Sequence, residues 1–198
     1  CAVNGQELSR VKECDKVLII GGGPLGALHA ELAKAYGAAE VMIAETSLKR
    51  LALLKRLKGI YLINSLENDL QKVIKERTNG LGVDVVIICA PVKKVHETSI
   101  EYVRKGGTVC FFASIPKGSS DIILDSRTIH YGELNITGVS DSRPEHIKKA
   151  VSLLKEGAID TDSIITHRLA IEEFHKGLEL MKNGDSLKVL IYPWGLKQ

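Results

Sequence analysis

Apolar positions along this chain alternate between short unbroken runs and longer stripes spaced by three or four residues. Val17-Leu18-Ile19-Ile20 is such a run, and the segment after it is apolar at 25, 28, 32 and 35. An unbroken β-branched run reads as a buried strand, and a stripe of that spacing as a helix. The two rhythms then repeat. Strands are predicted over 17–20, 41–45, 61–64, 83–90, 108–113 and 135–139, with helices over 25–36, 47–58, 69–78 and 91–104. The run from Val83 to Ala90 is nearly continuous Val and Ile, as suits a central parallel strand covered on both faces. Gly37 is placed to end the first of these helices, and Thr46 or Ser47 to cap the second. Ahead of the first strand, 2–5 reads as a turn and 6–14 as a short helix. Between the last two strands, 115–120 reads as a loop and 121–134 as a short strand followed by a short helix. Strands alternating with helices in this way predict an α/β fold, a doubly wound parallel six-stranded sheet in the order 3-2-1-4-5-6.

After residue 140 the pattern changes. A helix is predicted over 144–155 with Ile147, Ala150, Val151 and Leu154 inward, then a strand over 164–169, a helix over 171–181 and a strand over 188–192. A strand, a helix and a strand after a complete sheet do not make an independent core. The expected organisation is a leading segment 1–16, a sheet domain 17–140, and a closing segment 141–198 that looks like the tail of a second domain. The chain opens at Cys1 rather than methionine, which suggests a cut or processed piece.

Chemistry enters where the first strand runs into Gly21-Gly22-Gly23-Pro24-Leu25-Gly26. Glycines at 21, 23 and 26 form Gly-x-Gly-x-x-Gly between a strand and a helix, the context of a dinucleotide-binding turn. The first glycine allows the tight turn, the second lets backbone approach a pyrophosphate, and the third lets helix pack on strand. Pro24 preorganises the helix start, whose free N–H groups favour phosphate. Glu45 ends the second strand 19 positions after Gly26, about where a carboxylate accepts bonds from an adenosine ribose. The same acid repels a 2′-phosphate, so NAD is expected over NADP, tempered by Arg50, Thr46 and Ser47. Cys89 and Ala90 end the fourth strand beside the point where strand order reverses, which is where ligands sit in such sheets.

Composition narrows the class. The chain is 44% hydrophobic and 26% charged with a formal net charge of +3, which is enough apolar material for a core and too little charge for nucleic acid. No apolar run approaches a membrane span, and no charged-then-apolar leader opens the chain. Cys1, Cys14, Cys89 and Cys110 form no Cys-x-x-Cys, and the six histidines show no ligand spacing. A metal site is therefore not expected, and a reduced, cytoplasmic protein is. Ile136 and Val139 on the last strand of the sheet would form a free edge, which predicts a homodimer through 135–139.

In order and spacing, these segments resemble the C-terminal part of the zinc-dependent medium-chain dehydrogenases, on their sorbitol and polyol branch. The resemblance runs through Cys1-Ala2-Val3-Asn4-Gly5, Val17 to Gly26, Ala38 to Val41 with Glu45, Asn79 to Val86, Ile165 to Leu169 and Leu187-Lys188-Val189. It implies an alcohol or polyol oxidised with hydride passing to NAD, and a zinc ion that activates the substrate hydroxyl in the parent enzyme. It also implies that the zinc ligands lie in an absent GroES-like catalytic domain, to which 141–198 belongs. The chain alone would then bind cofactor without catalysing, so no catalytic residue is assigned within it. By the same resemblance, Leu25 donates its N–H to the pyrophosphate and Arg50 lies over the ribose. Ala113, Ser114 and Val139 line the nicotinamide, and Lys188 reaches the pyrophosphate.

Three other readings share the fold. A non-catalytic NAD-binding regulatory module remains the alternative, opposed by the dehydrogenase-like closing segment. A methyltransferase would carry an acid before the first glycine, where this chain has Ile20. A short-chain dehydrogenase needs Tyr-x-x-x-Lys, and all five tyrosines lack that lysine: Glu40, Ser65, Gly106, Asn135 and Leu196 stand there instead.

Overall fold

After a short helix, α1 (Ala2–Leu8), the chain enters β1 (Lys16–Ile20), whose residues Val17 to Ile20 are all buried in the computed structural model, which describes residues 1–195. A strand buried on both faces belongs inside a parallel sheet. β1 pairs in parallel with β2 (Glu40–Glu45), and β2 with β3 (Ile60–Asn64). On its other side β1 pairs with β4 (Val83–Ile88), followed outward by β5 (Val103–Phe111) and β6 (Asn135–Gly138). The order is therefore 3-2-1-4-5-6, the doubly wound α/β sheet that the alternation predicts.

Successive side chains of a strand point to opposite faces, so each face has its own core. Val17 and Ile19 point to the face covered by α2 (Pro24–Ala35) and α3 (Leu48–Leu54), where Ala27, Ala30, Ala33 and Leu54 complete the cluster. Leu18 and Ile20 point to the face covered by α4 (Leu70–Arg77) and α5 (Lys93–Thr98), with Ile74 and Val95. Alanine at every third position lets α2 lie close to the sheet. Burial of each large aliphatic here contributes about 1.5–3 kcal/mol. The caps follow the sequence: Ser47 Oγ accepts from the Arg50 N–H at the start of α3, and Gly37 takes a left-handed φ of 83° just past α2.

Several local expectations are corrected. The opening helix is Ala2–Leu8, so 2–5 is helical rather than a turn, and the chain beyond Ser9 is irregular. The helix expected over 91–104 covers only Lys93–Thr98, with a 3-10 turn at Ser99–Glu101. β5 starts at Val103, because residues 104–107 form a bulge opposite β4 that is fixed by an Arg104–Asp84 ion pair at 2.6 Å. Residues 121–125 form no strand; they lead into α6 (Ser126–Gly132), which Asp125 caps.

In the closing segment, α7 (Pro144–Lys155) is rotated from its expected face. His146, Ala150 and Leu153 turn inward, while Ile147 is 59% exposed and Leu154 50%. On the inward side Ala150 and Leu153 pack against the cluster of Ala2, Val3 and Leu32, and Glu7 on α1 meets His146 at 3.3 Å and Lys149 at 3.1 Å. A short α8 (Thr161–Ile164) precedes β7 (Ile165–Ala170), α9 (Phe174–Lys182) and β8 (Lys188–Tyr192). β7 and β8 make a separate two-stranded parallel sheet. It is held to the main domain by Leu187 in the core, by Lys49–Asp185 at 2.9 Å, and by Arg56 donating to the carbonyls of Asp162 and Ser163. Residues 196–198 of the predicted segment lie outside the described residues.

Candidate functional site

Strand order reverses between β1 and β4, and the chain leaves both strands there to opposite faces of the sheet. A crevice opens at such a switch point. Here it has a volume of about 720 Å³, lined by Gly21, Gly23, Pro24, Leu25, Gly26, Glu45, Arg50, Cys89 and Ala90 among others. Nine residues singled out in the sequence, from four separate loops and termini, thus converge on one cleft.

The turn from β1 to α2 is shaped by close packing. Gly21 has φ 106°, and a Cβ there would lie 2.9 Å from the Ala90 nitrogen. A Cβ on Gly26 would stand 2.0 Å from the Gly21 carbonyl oxygen. Gly22, which the spacing rule leaves unassigned, is buried, and a Cβ there would press on the end of the Leu54 side chain at 2.4 Å, which would have to shift. Gly23 differs: a Cβ there meets nothing within 4 Å. It precedes α2 as its N-cap, with Pro24 in the first turn, so the unpaired N–H groups of that turn face the cleft.

Glu45 closes the other side of the turn. Its Oε2 accepts from the Gly22 N–H at 2.8 Å, while Oε1 accepts from the N–H groups of Thr46 and Ser47 at 2.7 and 2.8 Å. Burial pushes this carboxyl up, but the three backbone N–H groups and the Arg50 guanidinium, 3.7 Å from Oε2, outweigh it and hold Glu45 below the usual carboxylate range. A carboxylate offers about four acceptor positions. Three are filled by backbone, and the room that remains is on Oε2.

The remaining sequence-derived residues separate. Ser114 and Val139 line a second opening of about 520 Å³ at the end of β5 and β6, together with Ala113, Phe112 and Ser140. Lys188 begins β8, is exposed, and lines neither opening. Ser65, Asn68, Val92 and Lys94 also line the first cleft and were not singled out in the sequence. They follow the C-terminal ends of β3 and β4, so the rule that ligands gather beyond those ends could have found them. Thr98 and Tyr102, at the far side of α5, carry no such positional signal.

Cys89 and Cys110 are free thiols, and burial pushes both upward, so they act as apolar packing rather than as nucleophiles. Among the described residues, no group of three or more His, Cys, Asp or Glu side chains is placed to hold a metal ion, and so these residues do not fit a zinc site. Among the same residues, no helix is long and apolar enough to cross a membrane.

Comparison with known proteins agrees with this geometry. Sorbitol dehydrogenase of Halalkalibacterium halodurans is 28% identical over 98% of this chain and 56% of its own length. The structure of alcohol dehydrogenase TADH from Thermus sp. ATN1 superposes with a TM-score of 0.87 at 25% identity, covering 96% of this chain and 54% of that one. A structure from Sinorhizobium meliloti 1021, described as a zinc-binding dehydrogenase and bound to NADP, matches at 27% identity with a TM-score of 0.83, covering 98% and 56%. The chain thus spans about half the length of the proteins it matches. Residues 24–156, most of the sheet domain with the first helix of the closing segment, match the zinc-binding dehydrogenase family, and the chain belongs to that family.

Proposed function

We propose that this chain is the nicotinamide-dinucleotide-binding part of an alcohol or polyol dehydrogenase, with the pyrophosphate over the Gly21–Gly26 turn. The observation that carries this is Gly23. Gly21 and Gly26 are demanded by backbone contacts inside the chain, whereas a side chain at 23 would stand in open space within the cleft. Glycine there serves the close approach of something else to the backbone. The free N–H groups of Gly23 and Leu25, at the start of α2, suit a phosphate pair. The unfilled acceptor on Glu45 Oε2 suits a ribose hydroxyl, with Arg50 beside it. Ser114 and Val139 would border the nicotinamide, and Cys89 and Ala90 the middle of the cofactor. Lys188 would need to move to take part.

When bound, the dinucleotide supplies the hydride chemistry. This chain's residues hold and orient it, and the zinc and substrate groups belong to the remainder of the parent enzyme, so the chain alone is proposed to be inactive. The sorbitol dehydrogenase relative supports a polyol or secondary alcohol as substrate. Glu45 favours NAD by repelling a 2′-phosphate, although a relative is described with NADP. The division into 1–16, 17–140 and 141–198, a cytoplasmic setting and a homodimer through β6 belong to the same proposal.

The test is a titration of the chain with NADH and NADPH, followed by cofactor fluorescence, alongside Gly23→Ala. NADH should saturate and bind more tightly than NADPH. The alanine variant should bind NADH at least about tenfold more weakly, since its methyl occupies the approach path, while its stability changes by less than about 1 kcal/mol. A folded chain that binds neither nucleotide, or a Gly23→Ala variant that binds as the parent does, overturns the reading.

A further inference from the structure

The second opening is bordered by the chain leaving β6, and that chain turns through an unfavourable conformation. Asp141 lies in the left-handed region at φ 58° without being glycine. Such a residue persists where its surroundings hold it, and holding of this kind gathers at ligand clamps. What holds this one is Asn4, far away in sequence on α1. Its side-chain Nδ2 donates to the Asp141 carbonyl at 3.1 Å and reaches the Ser140 carbonyl at 3.5 Å, and the side chain is buried.

The helix that carries Asn4 is itself firmly seated. Gln6 Nε2 donates to the His29 carbonyl at 2.9 Å and meets His29 Nδ1 at 3.1 Å, all of it buried. Gly5 lets α1 press against the same histidine and Phe112: a Cβ there would come within 2.7 Å of the His29 ring and 3.0 Å of the Phe112 ring. The His29 and Phe112 rings meet edge to face with centroids 4.3 Å apart. Three successive residues of α1 are thus committed to one place. Gly5 and Gln6 fix the helix on α2 and the end of β5, and Asn4 reaches from that base to the turn after β6. Phe112, Val139 and Ser140 all line the second opening.

We propose that Asn4 is a positioning residue for the nicotinamide end of the cofactor. It holds the Ser140–Asp141 turn and thereby sets the backbone of Val139 and Ser140 that borders the ring, without touching the cofactor itself. This rests on the dinucleotide reading above.

The test compares two probes by calorimetric titration of the full chain: NADH, and ADP-ribose, which lacks the nicotinamide. Asn4→Ala should weaken NADH about tenfold, the scale of one lost buried hydrogen bond, and leave ADP-ribose within about twofold. Asn4→Leu keeps the approximate size and branching, loses the donor and adds no charge, so it gives the same readout if the alanine variant does not fold. Adding Asp141→Gly to either variant should restore most of the NADH affinity, because glycine adopts the left-handed turn unaided. A merely structural role for Asn4 would not be rescued from Asp141. Equal weakening of both probes, no change in either, or failure of the rescue overturns the proposal. A parent chain that binds ADP-ribose but gains nothing from the nicotinamide overturns it too, and leaves the dinucleotide reading standing. A parent chain that binds neither probe overturns both.

Discussion

A carboxylate taken out of water is costly unless it is bonded, and Glu45 is bonded by three backbone N–H groups. Histidine 29 is the opposite case. It lies on α2, fully buried, and burial pushes its imidazole from its ordinary 6.5 down to about 3. The folded chain therefore keeps it neutral while the unfolded chain protonates it below 6.5. Folding stability is then lost as pH falls from 6.5 towards 3, by about 1.4 kcal/mol per pH unit. Glu45 behaves differently. Its depressed carboxyl adds stability that is fully present above its ordinary value of 4.5 and goes only as pH falls through the folded value, so it is silent between pH 7 and 5. Urea unfolding at pH 7 and pH 5 should show a loss for the parent chain that is smaller by about 2 kcal/mol in His29→Gln. Equal losses in the two proteins would remove His29 as the cause. The position of Glu45 is legible in the sequence from its distance to Gly26. Its grip on Gly22 is not, because that contact depends on how β1 and β2 align side by side. His29 likewise reads as one more helix residue until Gln6 is seen to cover it.

At the scale of elements, the first strand, turn and helix act as one unit. Gly26 is the point of nearest approach, with the Gly21 carbonyl oxygen 2.0 Å from where a Cβ would stand. That neighbour is backbone, not a flexible side chain that could swing away. Gly26→Ala should therefore destabilise the fold by about 3 kcal/mol or more, in contrast to Gly23→Ala three residues earlier. Thermal unfolding of the two variants side by side checks this, and similar melting temperatures would contradict it. β1, β2 and β4 are legible because a strand buried on both faces leaves an unbroken apolar run. α5 and β5 were blurred because Val92, Val95, Ile100 and Val103 satisfy a helical stripe. The Arg104–Asp84 pair that turns the chain into a bulge lies between residues twenty positions apart. The inward face of α7 is illegible for a similar reason. The side that docks combines Ala150 and Leu153 with His146 and Lys149, whose partner Glu7 lies on a helix far away in sequence.

For the whole molecule, the sheet has two ends and they are protected differently. At one end, β3 has Tyr61 partly covered by the Arg77 guanidinium, 3.8 Å from the ring centroid, and Arg77 also pairs with Glu40 on β2. At the other, among the described residues, β6 pairs only with β5 and has no strand on its outer side. Ile136 is 36% exposed there, and Tyr131 on the preceding helix is 61% exposed. An edge of this kind is a template for another strand unless a charge or proline blunts it, and Asn135-Ile136-Thr137-Gly138 has neither. A second copy that pairs edge to edge would extend the parallel sheets across a two-fold axis and cover both isoleucines at once. Sedimentation velocity should therefore report twice the 21.6 kDa chain mass for the parent. Ile136→Lys, which places a charge on each facing edge, should bring the mass down to one chain while NADH binding persists, because Ile136 lines neither the switch-point cleft nor the opening beyond the end of β6. A parent that sediments as a single chain, or a lysine variant that stays paired, would show that β6 is not where copies of this chain meet.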